Sequence, residues 1–514
     1  MWQNPKCIET QHTSANSLME IEKKNQFGGE VSPFPRMGIG ILGVLFLSLI
    51  VSRLVYPFGV GTWEAFNWMP AMHLLEGKNP FAFAFTPPYG MSPYGVVYYA
   101  LMAVGVKIFG YQMLFGRILS VLAFGICIWT VVCMTRKLAQ SSKEAVWVAC
   151  LAGLAMFPAQ SWISLMRPDL IAAAFVFSAL ALVFALEEDK KISLWRFGAV
   201  ILLSSAAFFT KPTFLLPTGI IFLRFLQIKK WREAVILVIG MAVLVFGGMF
   251  LLNYTSSGGY IWQHFTHAQR LPYSLSDCIN VFIEMLKQPT FFFSLVCLII
   301  FAFQNRKFFN RLSRAEAVKI ACSSKFLIFF YLLISLIWSF LSAGRTGGNA
   351  NYYIENSFVL AIAAGLIFEH FKRNALPNLA LAMIFLLTFG GAFQLFRVLR
   401  GEYFRWQSLS YYREIFETVG KVTPPDSKCI SINPELVVWN GCKFNFDDFE
   451  EYNGTWSPEL IEIFEREIKQ GRYAAILWYD DKFTERFPNY RLIKMSQNPP
   501  EKYFPVYLYV PEKP

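Results

Sequence analysis

The chain has 514 residues and a formal net charge of +12, but only 16% of its residues are charged and its mean hydropathy is +0.40. An ordinary soluble domain is about 25% charged, so a purely soluble protein is excluded; the charges sit in islands between long apolar runs, as in a chain that threads a bilayer. The basic balance is a matter of topology, because Lys and Arg flank the apolar runs where the positive-inside bias places them, and no nucleic-acid partner is expected.

Residues 1–36 read as a cytoplasmic tail, with Lys23, Lys24 and Arg36 ahead of the first apolar run, Met37–Pro57. That run is long enough to remain as a signal anchor. A first outer loop follows, Phe58–Pro93, rich in Pro, Gly, Trp and Phe. Further apolar runs are centred near residues 127, 155, 178, 202, 219, 242, 292, 334, 362 and 386. At about 17–25 residues each, they give an all-α polytopic membrane domain of about eleven or twelve spans over 37–400.

Basic islands orient the spans. They are Arg136, Lys137 and Lys143; Lys190, Lys191 and Arg196; Arg224, Lys229, Lys230 and Arg232; a large one from Arg306 to Lys325; and Lys372 with Arg373. Placed in the cytoplasm, they put Phe58–Pro93, Arg167–Asp169, Thr210–Pro212, Asn253–Asn280 and Gly344–Glu355 outside. This threading needs Tyr94–Gly110 to lie in the interface or turn back, although it is apolar enough to span. Arg397, Arg400 and Arg405, just past the last run, pull against it.

From 401 to 514 the composition becomes that of a small soluble α/β domain, expected to be periplasmic. Lys428–Asn433, Tyr473–Tyr479, Tyr490–Met495 and Val506–Val510 read as short strands. Ser457–Gln470 reads as a helix, with Ser457 as cap, Pro458 in the first turn and Gly471 as its stop. Leu460, Phe464 and Ile468 give it one apolar face. Cys429 and Cys442 share this domain, and a disulfide between them is available if it faces an oxidising compartment. The other cysteines in or beside apolar runs read as small hydrophobes.

Polar side chains at the span ends invite a functional reading. Under this threading Glu64, Arg117, Arg167, Asp169, Lys211, Arg270, Arg345, Asn351, Tyr352 and Glu355 fall on one side. A carboxylate facing several cations at the rim of an apolar groove suits a lipid-linked phosphate, whose chain stays in the bilayer while the cations hold the headgroup. Each residue also has a bland reading. Glu64 fits a solvated loop acid, with Glu76 as its competitor; Lys211 and Arg117 fit snorkelling side chains; Arg167 with Asp169 fits a local ion pair; Arg345 fits a tight glycine turn. No metal is expected, because His264 and His267 lack a third ligand, and Asp447-Asp448 and Asp480-Asp481 read as turn residues.

Trp63-Glu64, His73 to Phe81, Pro93 to Tyr99, Gly116-Arg117, Arg167-Pro168-Asp169, Thr210-Lys211-Pro212 and Gly348 to Tyr352 occur in one order. This order resembles that of the GT-C glycosyltransferases: the protein O-mannosyltransferase-like and lipid A aminoarabinose transferase-like enzymes, with the rhizobial lipopolysaccharide core galacturonosyltransferase group. The likeness covers about residues 40–400.

It implies a GT-C helical bundle and an inverting transfer of a sugar from a polyprenyl-phosphate donor to a glycan, lipid or protein acceptor outside the membrane, without a cofactor. By position Glu64 would be the base, Lys211, Arg117 and Arg345 would bind the donor phosphate, and Arg167, Asp169, Asn351, Tyr352 and Glu355 would bind substrate. Where many relatives carry two adjacent acids, this chain has Trp63 before Glu64. A flippase for lipid-linked sugars would instead predict inverted repeats and midplane charges. A polymerase or ligase would predict an outer loop rich in arginine, whereas Asn253–Asn280 holds Arg270 alone.

Overall fold

The computed structural model describes residues 33–512 apart from 61–63, 85–91, 141, 187–192, 268–271, 311–312, 346–347, 375, 432–434, 445–457, 479–482 and 494–505. Most of the expected cytoplasmic tail, Lys190, Lys191, Arg270, Arg311, Ser457 and the Asp447-Asp448 and Asp480-Asp481 pairs lie outside the described residues.

In hydrocarbon every backbone polar group must find a partner within the chain, so the apolar runs become helices. The chain opens with α1 (Phe34–Val55), α2 (Trp68–Leu75), α3 (Val96–Phe109) and α4 (Met113–Leu138). Then come α5 (Lys143–Ala155), α6 (Phe157–Trp162), α7 (Asp169–Leu186), α8 (Leu194–Thr210) and α9 (Leu216–Gln227). They are followed by α10 (Trp231–Thr255), α11 (Leu275–Leu286), α12 (Pro289–Asn310) and α13 (Arg314–Ala321). α14 (Ser324–Ser342), α15 (Ile354–Arg373) and α16 (Pro377–Gln407) complete the membrane part, α16 running past the composition change at Gly401. Among the described residues seven helices are long and apolar enough to cross a membrane, and four shorter apolar helices, α3, α7, α8 and α9, lie beside them.

α15 is enclosed almost along its whole length and forms the axis of the bundle. It packs on α5 through small residues: a Cβ on Gly365 would sit 2.7 Å from the Ala145 carbonyl oxygen and 3.0 Å from the Ala149 Cβ. Such close backbone approach, rather than a hydrophobic drive, holds helices together in lipid. The run centred near 155 is broken by extended Met156 and by Pro158 into α5 and α6.

The two ends of the bundle differ in charge. At one end Lys372 pairs with Glu144, Arg373 reaches Gln140, and Ser142 Oγ donates to Glu369. Arg224 Nη1 donates to the Cys322 carbonyl there as well. The starts of α4, α7 and α15 and the ends of α1, α8 and α16 gather at the other end. Both termini of α3 belong to that second end: Gly95 N donates to Thr210 O, 3.0 Å away, and the turn after α3 offers Tyr111 O to Trp439 Nε1 at 2.5 Å. With 14 residues, α3 is about 21 Å long, short of a hydrocarbon core of about 30 Å. It lies along the rim of the bundle.

The soluble domain follows α16. It consists of α17 (Leu409–Val422), β1 (Lys428–Ser431), α18 (Glu435–Val438), β2 (Lys443–Phe444), α19 (Pro458–Lys469), β3 (Ala475–Trp478), α20 (Phe483–Arg486), β4 (Tyr490–Ile493) and β5 (Tyr507–Pro511). The sheet order is β2-β1-β3-β5-β4, with β1 parallel to β2 and β3, and β5 antiparallel to β3 and β4. Gly471, at φ +65, ends α19 in the left-handed region that glycine tolerates. Tyr56, which caps α1, and Phe58 of the first loop lie in this domain's own hydrophobic core, which fixes the domain against the bundle end that carries α1's C-terminus. A buried ion pair between Arg53 of α1 and Glu402 of α16, 2.9 Å, ties the same junction, and Arg53 Nη1 also donates to Ser161 O and Ile163 O.

Candidate functional site

Two buried polar clusters stand at the domain-bearing end, joined by the short segment Met166–Asp169. The first is built on Arg117, one turn into α4. Its Nε and Nη2 donate to Glu64 Oε1 and Oε2 at 3.2 and 3.0 Å. Nη1 donates to Arg53 O and Tyr56 O, and Nη2 to Phe58 O, each at 2.6 Å. All of the guanidinium's N–H groups are used inside the protein. Glu64 is fully buried and equally saturated, since Val60 N donates to Oε2 at 2.6 Å and Met166 N to Oε1 at 2.7 Å. Burial alone would raise the Glu64 pKa, but the Arg117 charge and the four hydrogen bonds hold it below the usual carboxylate range.

In this geometry every N–H of Arg117, expected to bind the donor phosphate, and every lone pair of Glu64, expected to be the base, is engaged within the protein. They form a knot that fixes the backbone from Arg53 to Glu64, on which the soluble domain docks.

The second cluster is built on Asp169, the first residue of α7. Lys211, in extended backbone between α8 and the 3-10 turn Pro212–Leu215, pairs with Asp169 Oδ1. Asn351 Nδ2 donates to the same oxygen at 3.0 Å, and the Lys211 ammonium stands 4.9 Å from the Tyr352 ring centroid. Arg167 Nη1 donates to the Tyr94 hydroxyl at 2.8 Å. Burial works to lower the Lys211 pKa, yet Asp169, with Tyr352 and Tyr94, raises it above that of an ordinary lysine. Against the same burial, Tyr94 and Asp169 raise that of Arg167. Both side chains are therefore fixed cations.

Local chain features bring these groups together. Pro168 precedes α7 and Pro212 follows Lys211, so the backbone on both sides is held out of regular helix. A Cβ on Gly95 would lie 1.9 Å from the Phe209 carbonyl oxygen, so only glycine lets the start of α3 close over the end of α8 beside Lys211.

Buried polar atoms are normally satisfied, but several here are not. Asp169 Oδ2, Arg167 Nε, Asn351 Oδ1, Thr210 Oγ1 and the Tyr98 hydroxyl are buried with no hydrogen-bond partner among the described residues. Tyr98 stacks edge-on to Tyr94, 5.8 Å between centroids. An anion, a cation and neutral groups with open valences in one place form a receptor for a polar molecule.

The remaining predicted residues lie elsewhere. Glu355, expected to bind substrate, accepts from the Tyr331 hydroxyl at 2.9 Å inside the α14–α15 contact, one turn deeper than Tyr352 and outside the cluster. Arg345 is exposed between α14 and α15, its backbone bridged to Tyr273. Glu76 is exposed and paired with Lys78, 2.6 Å. His264 stacks on Tyr260 with centroids 4.5 Å apart, and its Nε2 lies 3.2 Å from Tyr94 O; burial lowers its pKa to about 4, leaving it neutral. No group of three metal-binding side chains occurs among the described residues. Tyr94, Tyr98 and Thr210 are members of the site that single-residue reading missed, since only their place in ordered motifs marks them. A cavity of about 630 Å³ adjoins the first cluster at the C-terminal end of α3, lined by Tyr56, Tyr111, Met113, Arg117 and Trp439.

No protein-family model matches the sequence, and no curated protein matches it. Solved structures do resemble the fold. ArnT from Cupriavidus metallidurans in the apo state superposes with a TM-score of 0.62 at 12% identity, over 92% of this chain and 97% of that one. The same protein bound to undecaprenyl phosphate gives 0.60 at 12% identity and the same coverage. The apo oligosaccharyltransferase of Archaeoglobus fulgidus gives 0.50 at 11% identity, over 87% of this chain and 71% of that one. The chain shares the fold of these structures. That fold accounts for nearly its whole length, soluble domain included, and the seven long apolar helices among the described residues make it a multi-pass membrane protein.

Proposed function

We propose that this protein is a glycosyltransferase of the cell's inner membrane, moving a sugar from a polyprenyl-phosphate donor to an acceptor hydroxyl at the extracytoplasmic face. The orientation rests on the basic residues gathered at the opposite end of the bundle. The observation that carries the reaction is the open Asp169 Oδ2 beside two fixed cations, Lys211 and Arg167, in a fold shared with a protein crystallised on undecaprenyl phosphate.

In this reading the acceptor oxygen attacks the anomeric carbon as the bond from that carbon to the phosphate oxygen breaks, with inversion. Asp169 Oδ2 takes the hydroxyl proton, in place of Glu64, whose oxygens are engaged by Arg117, Val60 and Met166. Lys211 and Arg167 stabilise the charge growing on the departing phosphate, with Arg345 at the rim as a further cation. Asn351 and Lys211 hold Asp169 Oδ1 so that Oδ2 points to the acceptor. Loss of radiolabelled sugar transfer in proteoliposomes on Asp169→Asn, with folding intact, tests this reading. Lipid scrambling without transfer by the wild type would replace it with a flippase.

A further inference from the structure

Outside the site, the soluble domain carries two thiols that meet. Cys429 lies in β1, and Cys442 directly precedes β2. The parallel register Lys428↔Lys443, with Lys443 N donating to Ser427 O at 2.8 Å, sets Cys442 opposite Ser427. Because side chains two apart share a face of a strand, Cys429 and Cys442 fall on the same side of the sheet. Both are buried and free, and Ser427 Oγ lies 3.9 Å from each sulfur.

The stretch between them makes the domain's contacts with the first loop. Glu435 accepts from Gly59 N at 3.1 Å, and Trp439 donates to Tyr111 O. The Trp439 ring stands 5.8 Å from both Phe58 and Trp68. Part of the docking surface, beside the contacts of Tyr56 and Phe58 with Trp406 and Tyr412, thus hangs on a loop whose two ends are cysteines.

We propose that Cys429 and Cys442 are joined by a disulfide in the exported protein, closing the base of the docking loop and fixing the soluble domain over the Arg117–Glu64 knot. Two S–H bonds break and one S–S bond forms. The two electrons and two protons pass to the disulfide of an oxidant such as oxidised glutathione or a thiol–disulfide oxidoreductase, which is reduced to two thiols. The proposal rests on the outward placement of the soluble domain, since disulfides persist in oxidising compartments.

The test uses the full-length protein, alkylated in denaturant without reductant as it leaves the cell, then digested and mapped by mass spectrometry. The expected result is that Cys429 and Cys442 escape alkylation and become labelled after reduction. A second arm treats purified protein with oxidised glutathione and follows hydrogen exchange over 435–441, expected to slow about tenfold relative to the reduced protein and not to change in Cys442→Ser. Free thiols in the protein from cells, no linkage by oxidised glutathione, or equal exchange in both states would each overturn the proposal. A C-terminal reporter active only outside the cytoplasm reads the placement separately, and an inactive reporter overturns the proposal together with that placement. Sugar transfer by the same preparation reports on the enzyme reading independently.

Discussion

Arg117 and Glu64 form a closed pair: every N–H of the guanidinium and every lone pair of the carboxylate is used by the two residues and the backbone around them. Removing one partner of a buried pair leaves an uncompensated charge, which is far more damaging than losing a surface ion pair. Glu64→Gln should therefore destabilise the protein by about 3–5 kcal/mol, seen as a lowered Tm in detergent, with transfer falling in step with the folded fraction. An unchanged Tm with transfer reduced a hundredfold would restore Glu64 as the base.

Asn351 donates to Asp169 Oδ1, so Asn351→Asp would replace a donor by a second carboxylate of the same shape. The second carboxylate also competes for the Lys211 ammonium, so Asp169 Oδ1 loses its fixed partners. Transfer should fall about tenfold or more at unchanged Tm. Transfer equal to wild type would show that Asn351 does not position Asp169.

Glu435 is buried where the soluble domain meets the first loop. Burial, with a smaller contribution from the Glu64 charge, pushes its pKa up to about 7 from an ordinary 4.5. The folded state then binds more protons than the unfolded state between these values. Docking stability is fully present below about pH 4.5 and is lost as pH rises through about 7, by up to about 3 kcal/mol. Protease resistance of the domain junction, followed from pH 5 to 8, should fall with rising pH in the wild type and lose this slope in Glu435→Gln.

Gly95 closes the start of α3 on the Phe209 carbonyl beside Lys211. Gly95→Ala should push α3 outward, lowering stability by about 1–3 kcal/mol and transfer by more than Gly105→Ala. At Gly105 the added methyl meets the Phe115 ring, away from the site. Equal effects of the two substitutions would remove α3 from any role in shaping the site.

Much of the fold could be read in the sequence because bilayer thickness imposes run length and cost forbids charge, so each apolar run announces a helix. Asp169, Lys211 and Asn351 were legible as residues of one face, although 42 and 182 positions separate Asp169 from its two partners. The fate of Arg117 was not. Three of its acceptors are backbone carbonyls of Arg53, Tyr56 and Phe58, and a carbonyl leaves no mark in an amino-acid sequence. Glu64 shared that invisibility, two of its donors being the amides of Val60 and Met166. β2 escaped because two residues carry no alternation, and the place of Glu355 in the α14–α15 contact was hidden because a helix turn separates the rim from the packed interior.

The most direct measurement is single-turnover transfer of radiolabelled sugar from a polyprenyl-phosphate donor in proteoliposomes, comparing wild type, Asp169→Asn and Glu64→Gln at equal folded concentration. Asp169→Asn should lose at least about a hundredfold, while Glu64→Gln, per folded molecule, should stay within about tenfold of wild type. The reverse order, or full transfer by Asp169→Asn, would contradict the placement of the reaction at Asp169.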